Sequence, residues 1–232
     1  MSEVGYDYLP GKIKPSIKKL ENGGKKDFTY RASQKFLKTA IDRIWGKRFK
    51  IEGAENVPSV GSAIIVVNHP SHIDDLFLIA AIDRPMHFIG RQEKAFNPLL
   101  VKATYPSFGV ISVAENLKEG GKRFFKQINE VVENKELICI YPERLYVEDR
   151  PNKNEVGEFA SGVFHIVKRH NLSVIPVFLD GTQNVRPSSR ADKFFQPMHL
   201  RQPVKIVIGK SIPPTQIQNA EQVRQAIIGL KK

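Results

Sequence analysis

Cysteine and tryptophan occur once each in these 232 residues, as Cys139 and Trp45. A lone thiol cannot close a disulfide within the chain or supply a four-cysteine metal cluster, so a reducing compartment is the simplest expectation. Cys139 lies in the apolar run "ELICIY", where a buried, inert thiol is expected rather than a nucleophile. No apolar run approaches the roughly 18 to 20 residues needed to cross a bilayer, and the amino end lacks a signal-peptide pattern. The chain is therefore expected not to span a membrane, although it is free to lie on one. No G-x-S-x-G elbow occurs either, which leaves a nucleophile supplied by the protein without support and favours direct transfer to a substrate group.

Acidic charge is also short. Lys and Arg number 36 against 24 Asp and Glu, a formal net charge of +12. Residues 1 to 50 hold 13 of the basic and 5 of the acidic residues, so +8 of that excess falls in the first fifth of the chain. Such a concentration suits an anionic surface, lipid or nucleic acid, or serves as a solubilising tail. Zinc-finger spacing and RNP-like aromatic patterns are missing, as is a G-x-x-G loop in a suitable setting, so nucleic acid is not an expected partner.

What is present is an alternation of short β-type runs and helical runs. Residues 1 to 46 form a basic amino-terminal extension. Within it "RASQKFLKTAIDRIWG", residues 31 to 46, puts Phe36, Leu37, Ala40, Ile41, Ile44 and Trp45 on one face of an amphipathic helix. That face either docks on a core or enters a lipid interface. From 47 to 232 the strand-like runs are "RFKIEG", "AIIVV", "MHFI", "GVISV", "ELICIY", "LSVIPVFL" and "VKIVIG". Helices are predicted at about 73 to 82, about 94 to 103, 116 to 134, 156 to 170 and 215 to 229. Strands from "AIIVV" onward lack polar alternation and so require cover on both faces. The expectation is a single α/β domain: a mostly buried, mixed sheet of about seven strands with helices on both sides.

Ligands of such sheets gather beyond the carboxyl ends of the strands. Three polar clusters fall there: "NHPSHIDD", "PERLYVEDR" and "DGTQNVRPSSR". In the first, Ser71 and Asp74 have the spacing of a capping box, and Asp74 and Asp75 suit a helix amino terminus. That accounts for the carboxylates but not for His69 at the end of a buried strand. A bend at Pro70 and Ser71 would let Asp74 receive the His69 N–H, fixing the tautomer and leaving the other nitrogen to accept a proton from an alcohol or amine. His72 and Asp75 form a rival pair. The spacing H-x-x-H-x-D matches no common zinc pattern, and no metal is expected.

"VVNHPSHIDD" resembles the N-H-x-x-x-x-D block of the PlsC-like glycerolipid acyltransferases, the family that includes bacterial 1-acylglycerol-3-phosphate acyltransferases. "FGVISV" resembles that family's second block, "ICIYPE" its third, usually written F-P-E-G-x-R, and "VIPVFL" its fourth. "VKIVIGKSIPP" is similar to its late strand and turn. The likeness runs from about residue 47 to 214. It implies an enzyme that moves a fatty acyl group from an acyl thioester, on coenzyme A or acyl carrier protein, to a hydroxyl of a lysophospholipid or related polar lipid. His69 would be the general base, Asp74 its orienter, and Glu143 would help hold the acceptor, while Pro176 would mark the acyl or acceptor pocket. No cofactor is implied beyond the thioester. Location on the cytoplasmic face of an anionic membrane, as a peripheral protein, goes with this reading.

Two positions depart from the pattern. The second block commonly carries arginine where this chain has Glu115, and the third commonly ends in arginine where it has Tyr146, with Arg144 in place of glycine. Charge reversal at one position and loss of the guanidinium fork at the other argue for a different acceptor, or for the same acceptor bound differently. Arg144 and Arg91 are the replacement contacts expected first, with Lys94, Arg186 and Arg190 as further candidates. Phe77, Phe88, Phe96, Leu99, Leu100, Tyr105 and Phe108 are candidates to line an acyl groove. A lipid- or thioester-binding protein without turnover is the first alternative reading, and a basic nucleic-acid-binding protein the second.

Overall fold

The computed structural model describes residues 23–90, 109–113, 117–144, 149–150, 155–187 and 198–231. Its strands are β1 (Phe49–Glu52), β2 (Ala63–Val67), β3 (Met86–Gly90), β4 (Val110–Ser112), β5 (Leu137–Ile140), β6 (Ser173–Asp180) and β7 (Val204–Ile208). The helices are α1 (Gly23–Trp45), α2 (Asp74–Ala81), α3 (Leu117–Glu133), α4 (Gly162–His170), α5 (Thr182–Val185) and α6 (Ala220–Ile228). The strands form one sheet in the order β1-β7-β6-β2-β5-β3-β4. Strands β6, β2, β5, β3 and β4 run parallel, while β7 is antiparallel to β6 and carries β1 parallel to itself. The mixed sheet expected from the sequence is the sheet found.

Every residue of β2 is buried, because its two faces serve two cores. Ile65 and Val67 pack with Tyr30, Ile41 and Trp45 of α1 and Phe77 and Leu78 of α2. Ile64 and Val66 pack on the other side with Ile128 of α3, Phe164 and Val167 of α4 and Val223 and Ile227 of α6. Strand side chains alternate between faces, so an uninterrupted branched apolar run fits only a strand covered on both sides.

Helix α1 docks on this core. Trp45 meets the Phe77 ring edge-on at 5.1 Å, and its indole N–H donates to the Gln202 carbonyl at 3.1 Å. Gln34 is buried and donates to the carbonyls of Ile79 and Ile82, at 3.0 and 2.6 Å. Those carbonyls belong to the carboxyl end of α2, where the helix has no partners of its own to offer. The apolar face expected to act as one is divided: Ile41 and Trp45 are buried against the core, whereas Phe36 and Ile44 are exposed, 77% and 41% accessible, on a helix that also exposes Lys35, Lys38 and Arg43.

Two predicted helices begin later than expected. The one placed at 156 to 170 starts at Gly162, because the preceding segment is extended: Phe159 bridges Glu143 in antiparallel fashion, and the Arg144 N–H donates to the Glu158 carbonyl. The one placed at 215 to 229 starts at Ala220, where the Asn219 side chain accepts the Gln222 N–H and caps the first turn. The helix expected at 94 to 103 lies outside the described residues.

Because β2, β5 and β6 are adjacent and parallel, their carboxyl ends open on one edge. Residues 68–73, 141–144 and 181–182 follow those three ends.

Candidate active site

Asn68 ends β2 by bridging to β6. Its amide donates to the Leu179 carbonyl and accepts the Leu179 N–H, both at 2.8 Å. This fixes the residue before His69. The next residues turn sharply, and α2 begins at Asp74, whose N–H donates to the Ser71 carbonyl at 3.3 Å. Across that turn His69 Nδ1 meets Asp74 Oδ2 at 2.8 Å. The pair five residues apart, which a continuous helix would separate, is brought together by the bend.

Asp74 is completely buried and fully used. Oδ2 also accepts the Ser71 N–H at 3.0 Å, and Oδ1 accepts the Thr182 hydroxyl at 2.6 Å. Half of the predicted capping box therefore forms, from carboxylate back to Ser71 N–H. The Ser71 hydroxyl turns elsewhere, to the Arg186 carbonyl at 2.7 Å. Thr182 reaches Asp74 because Gly181 takes φ 90° at the end of β6. A side chain at Gly181 would strike the Pro203 carbonyl, so the turn that delivers Thr182 demands glycine.

The His69 peptide is held as firmly as its ring. Its N–H donates to Glu143 Oε2 at 3.0 Å, and its carbonyl accepts from the Arg150 guanidinium at 3.1 Å. Glu143 and Arg150 are themselves ion-paired and almost wholly buried, and Glu143 Oε1 takes the Gly157 N–H at 2.9 Å. Glu143 thus spends its carboxylate on the walls of the site.

One face of the imidazole stacks on Tyr141, with ring centroids 4.0 Å apart and planes 18° from parallel. The Tyr141 hydroxyl donates to Asp75 Oδ1 at 2.5 Å. His69 remains 28% exposed while its partner Asp74 is sealed. Burial by itself would lower the imidazole's proton affinity, but the Asp74 bond and charge, with Asp75 and Glu143 beyond, raise its pKa above the ordinary value. With Nδ1–H given to the carboxylate, Nε2 is the acceptor. Chemically this is an imidazole oriented to take a proton and to hold it.

The family model for Acyltransferase matches residues 48–180, a span that begins just before β1 and ends with β6. The chain belongs to the acyltransferase family. Among curated relatives, a 1-acyl-sn-glycerol-3-phosphate acyltransferase of Chlamydomonas reinhardtii is 24% identical over 182 residues, 76% of this chain and 51% of that protein. One of Mycoplasma pneumoniae, designated "Probable 1-acyl-sn-glycerol-3-phosphate acyltransferase", is 26% identical over 195 residues, 82% of this chain and 66% of that protein. The chain therefore spans about half to two thirds of the length of these relatives. The crystal structure of the 1-acyl-sn-glycerophosphate (LPA) acyltransferase PlsC from Thermotoga maritima has the same fold. It aligns at a TM-score of 0.59 and 20% identity, covering 89% of this chain and 84% of that one.

On this acyltransferase fold the remaining candidates scatter. Pro176 is buried in β6 opposite Val66, with its ring close to Gly209, on the sheet face away from α2. Arg144 is exposed. Arg186 is buried just after α5, its carbonyl holding Ser71. Phe77 and Phe88 lie in the core. Cys139 is buried there too, and burial pushes its thiol well above the ordinary range. Arg91, Lys94, Phe96, Leu99, Leu100, Tyr105, Phe108, Glu115, Tyr146 and Arg190 lie outside the described residues. Sequence reasoning missed Thr182, Tyr141 and Arg150 as individuals. Thr182 and Arg150 stood within two of the three polar clusters, and Tyr141 directly preceded the third-block Pro-Glu.

Proposed function

We propose that this chain transfers a fatty acyl group from an acyl thioester, on coenzyme A or acyl carrier protein, to a hydroxyl of a lysophospholipid or related polar lipid. The observation that carries the reading is the 2.8 Å contact between His69 Nδ1 and the buried Asp74 carboxylate at the carboxyl edge of the sheet. It is supported by the family membership and by the names of the relatives.

In the proposed step the acceptor hydroxyl gives its proton to His69 Nε2 as its oxygen attacks the thioester carbonyl. Collapse of the tetrahedral intermediate breaks the carbon–sulfur bond, and the departing thiolate takes the proton from the imidazolium. Asp74 holds the tautomer and offsets the imidazolium charge. The intermediate's oxyanion needs N–H donors; in the turn of residues 70 to 75, the N–H groups of Ser71 and Asp74 are already committed internally. Glu143 shapes the site through the His69 peptide, with Arg144 and Arg91 as the proposed acceptor contacts and Pro176 marking the acyl or acceptor pocket. The thioester is a co-substrate, and no further cofactor is invoked.

The same proposal sets the protein on the cytoplasmic face of an anionic membrane. No helix among the described residues is long and apolar enough to cross one. The exposed face of α1, with Phe36 and Ile44 among lysines and arginines, suits an interface where apolar groups enter and cations meet lipid phosphates.

The test is a transfer screen read by product mass. Acyl-coenzyme A and acyl carrier protein donors are offered with lysolipid, sugar and amine acceptors, comparing wild type with H69A. Ester formed by the wild type and lost in H69A is expected. Tight thioester binding with no product from any pair would instead support the binding-protein alternative. Sedimentation with anionic vesicles, weakened by Phe36→Ser with Ile44→Ser, tests the membrane assignment.

A further inference from the structure

A hydrogen bond at Nδ1 fixes one edge of an imidazole but leaves the ring free to swing about that bond. Tyr141 closes off this freedom on one face, stacked at 4.0 Å. A stacked ring constrains its neighbour only if it is itself held, and the phenol is tied at its far end to Asp75. Asp74 and Asp75 are consecutive residues in the first turn of α2, so their side chains diverge by about 100° around the axis. One carboxylate points into the sealed space toward Thr182 and the imidazole edge. The other points to the hydroxyl of the residue lying on the imidazole face. Helix α2 therefore sets both constraints with a single element.

We infer that Tyr141, anchored by Asp75, is a positioning residue for His69, a fixed aromatic wall that keeps the imidazole plane aligned for proton transfer. The inference rests on the base role proposed above. The resembling family's third block is usually written F-P-E-G-x-R, and this chain has Tyr141 before its Pro-Glu. Burial, and after it the Asp75 charge, holds the phenol protonated well above its ordinary range, so the hydroxyl stays a donor. A bond from a neutral hydroxyl to a carboxylate is among the stronger hydrogen bonds. Among the described residues, the titratable and charged groups around the His69 ring are Asp74 and Asp75 from α2, Glu143 and Arg150 from the segment after β5, His72 in the turn and Tyr141 itself.

Three variants test the wall. Tyr141→Phe keeps the ring and removes the anchor; Tyr141→Leu removes the stack; Asp75→Asn keeps shape and removes charge. Expected are kcat losses of about 3- to 10-fold for Y141F and D75N and about 30- to 100-fold for Y141L, with KM within about twofold, since misalignment damages the step and not binding. The Y141F/D75N double variant should be no slower than the slower single one, because one removes and the other weakens the same bond. Independently of turnover, a crystal structure of Y141L should show the His69 ring turned from its wild-type plane or spread over two orientations. Unchanged kcat in folded Y141L, or an imidazole plane unmoved in Y141L, overturns the inference. A wild type inactive with every donor and acceptor, yet with the His69 plane displaced in Y141L, removes the transfer reading and leaves the structural coupling standing.

Discussion

Two histidine–carboxylate pairs sit on opposite edges of the same sheet. His69 meets Asp74 at 2.8 Å beyond the carboxyl end of β2, and His87 meets Glu136 at 2.6 Å where β3 and β5 begin. By distance alone the second is the tighter, and the two imidazoles are similarly exposed, 28% and 24%. What differs is everything around them. Asp74 is sealed and carries two further donors, whereas Glu136 is 29% exposed. The His69 peptide is gripped on both sides and its ring is stacked on Tyr141. His87 lies against Gly109, which has φ 53° and where any side chain would collide with the imidazole. One pair is built into converging loops, the other into the packing of an edge. A short histidine–carboxylate distance is thus a weak sign of catalysis until the surroundings of the carboxylate are known.

That contrast can be broken by experiment. The largest effect is expected for H69A, which should lower kcat by about a thousandfold or more as the general base is lost. Asp74→Asn should follow at about 100- to 1,000-fold, because an amide in the sealed site can turn its NH2 toward Nδ1 and stabilise the wrong tautomer. Both are measured as initial rates with the best donor and acceptor from the screen.

The pH profile comes next. Since His69 is held above the ordinary imidazole value of 6.5 and must be neutral to act, kcat/KM should fall as pH drops through a point above 6.5, tenfold per unit below it. The stability contribution of the same group has the opposite sense. A pKa raised by folding stabilises the native state at low pH, and that contribution is lost as pH rises through the folded value. Chemical denaturation at a series of pH values, comparing wild type with H69A, reads it.

Thr182→Val should cost about tenfold in kcat and about 1 to 3 kcal/mol in stability, the price of leaving one oxygen of a buried carboxylate unmet. Smallest of all is H87A, expected to leave kcat within about twofold and to lower stability by about 1 kcal/mol, in line with a partly exposed pair. Loss of turnover in H87A comparable to that in H69A would erase the distinction between the two edges.

The sequence carried the strands well, and for a physical reason. Runs such as "AIIVV" and "ELICIY" are too short for a buried helix and too uniformly branched for a solvated one, so burial on both faces was their only outlet. Helix starts were harder where a local alternative won: residues 156 to 161 are drawn into extended pairing with the loop after β5, and Asn219 captures a helix start that the apolar period alone would have placed earlier. The His69–Asp74 contact was legible because it spans five residues and a proline-marked bend. Thr182 and Tyr141 join the site across 108 and 66 residues, separations at which periodicity has nothing to say and only topology decides.

Gln34 ties α1 to α2. By gripping the trailing carbonyls of α2 from α1, it moors the far end of a helix only eight residues long, whose leading turn bears the two acidic groups facing His69 and Tyr141. About 12 Å of helix separates mooring from chemistry. Whatever lifts α1 from the body of the protein is therefore expected to slacken Asp74 and Asp75 from behind, without touching the imidazole or the phenol that they hold.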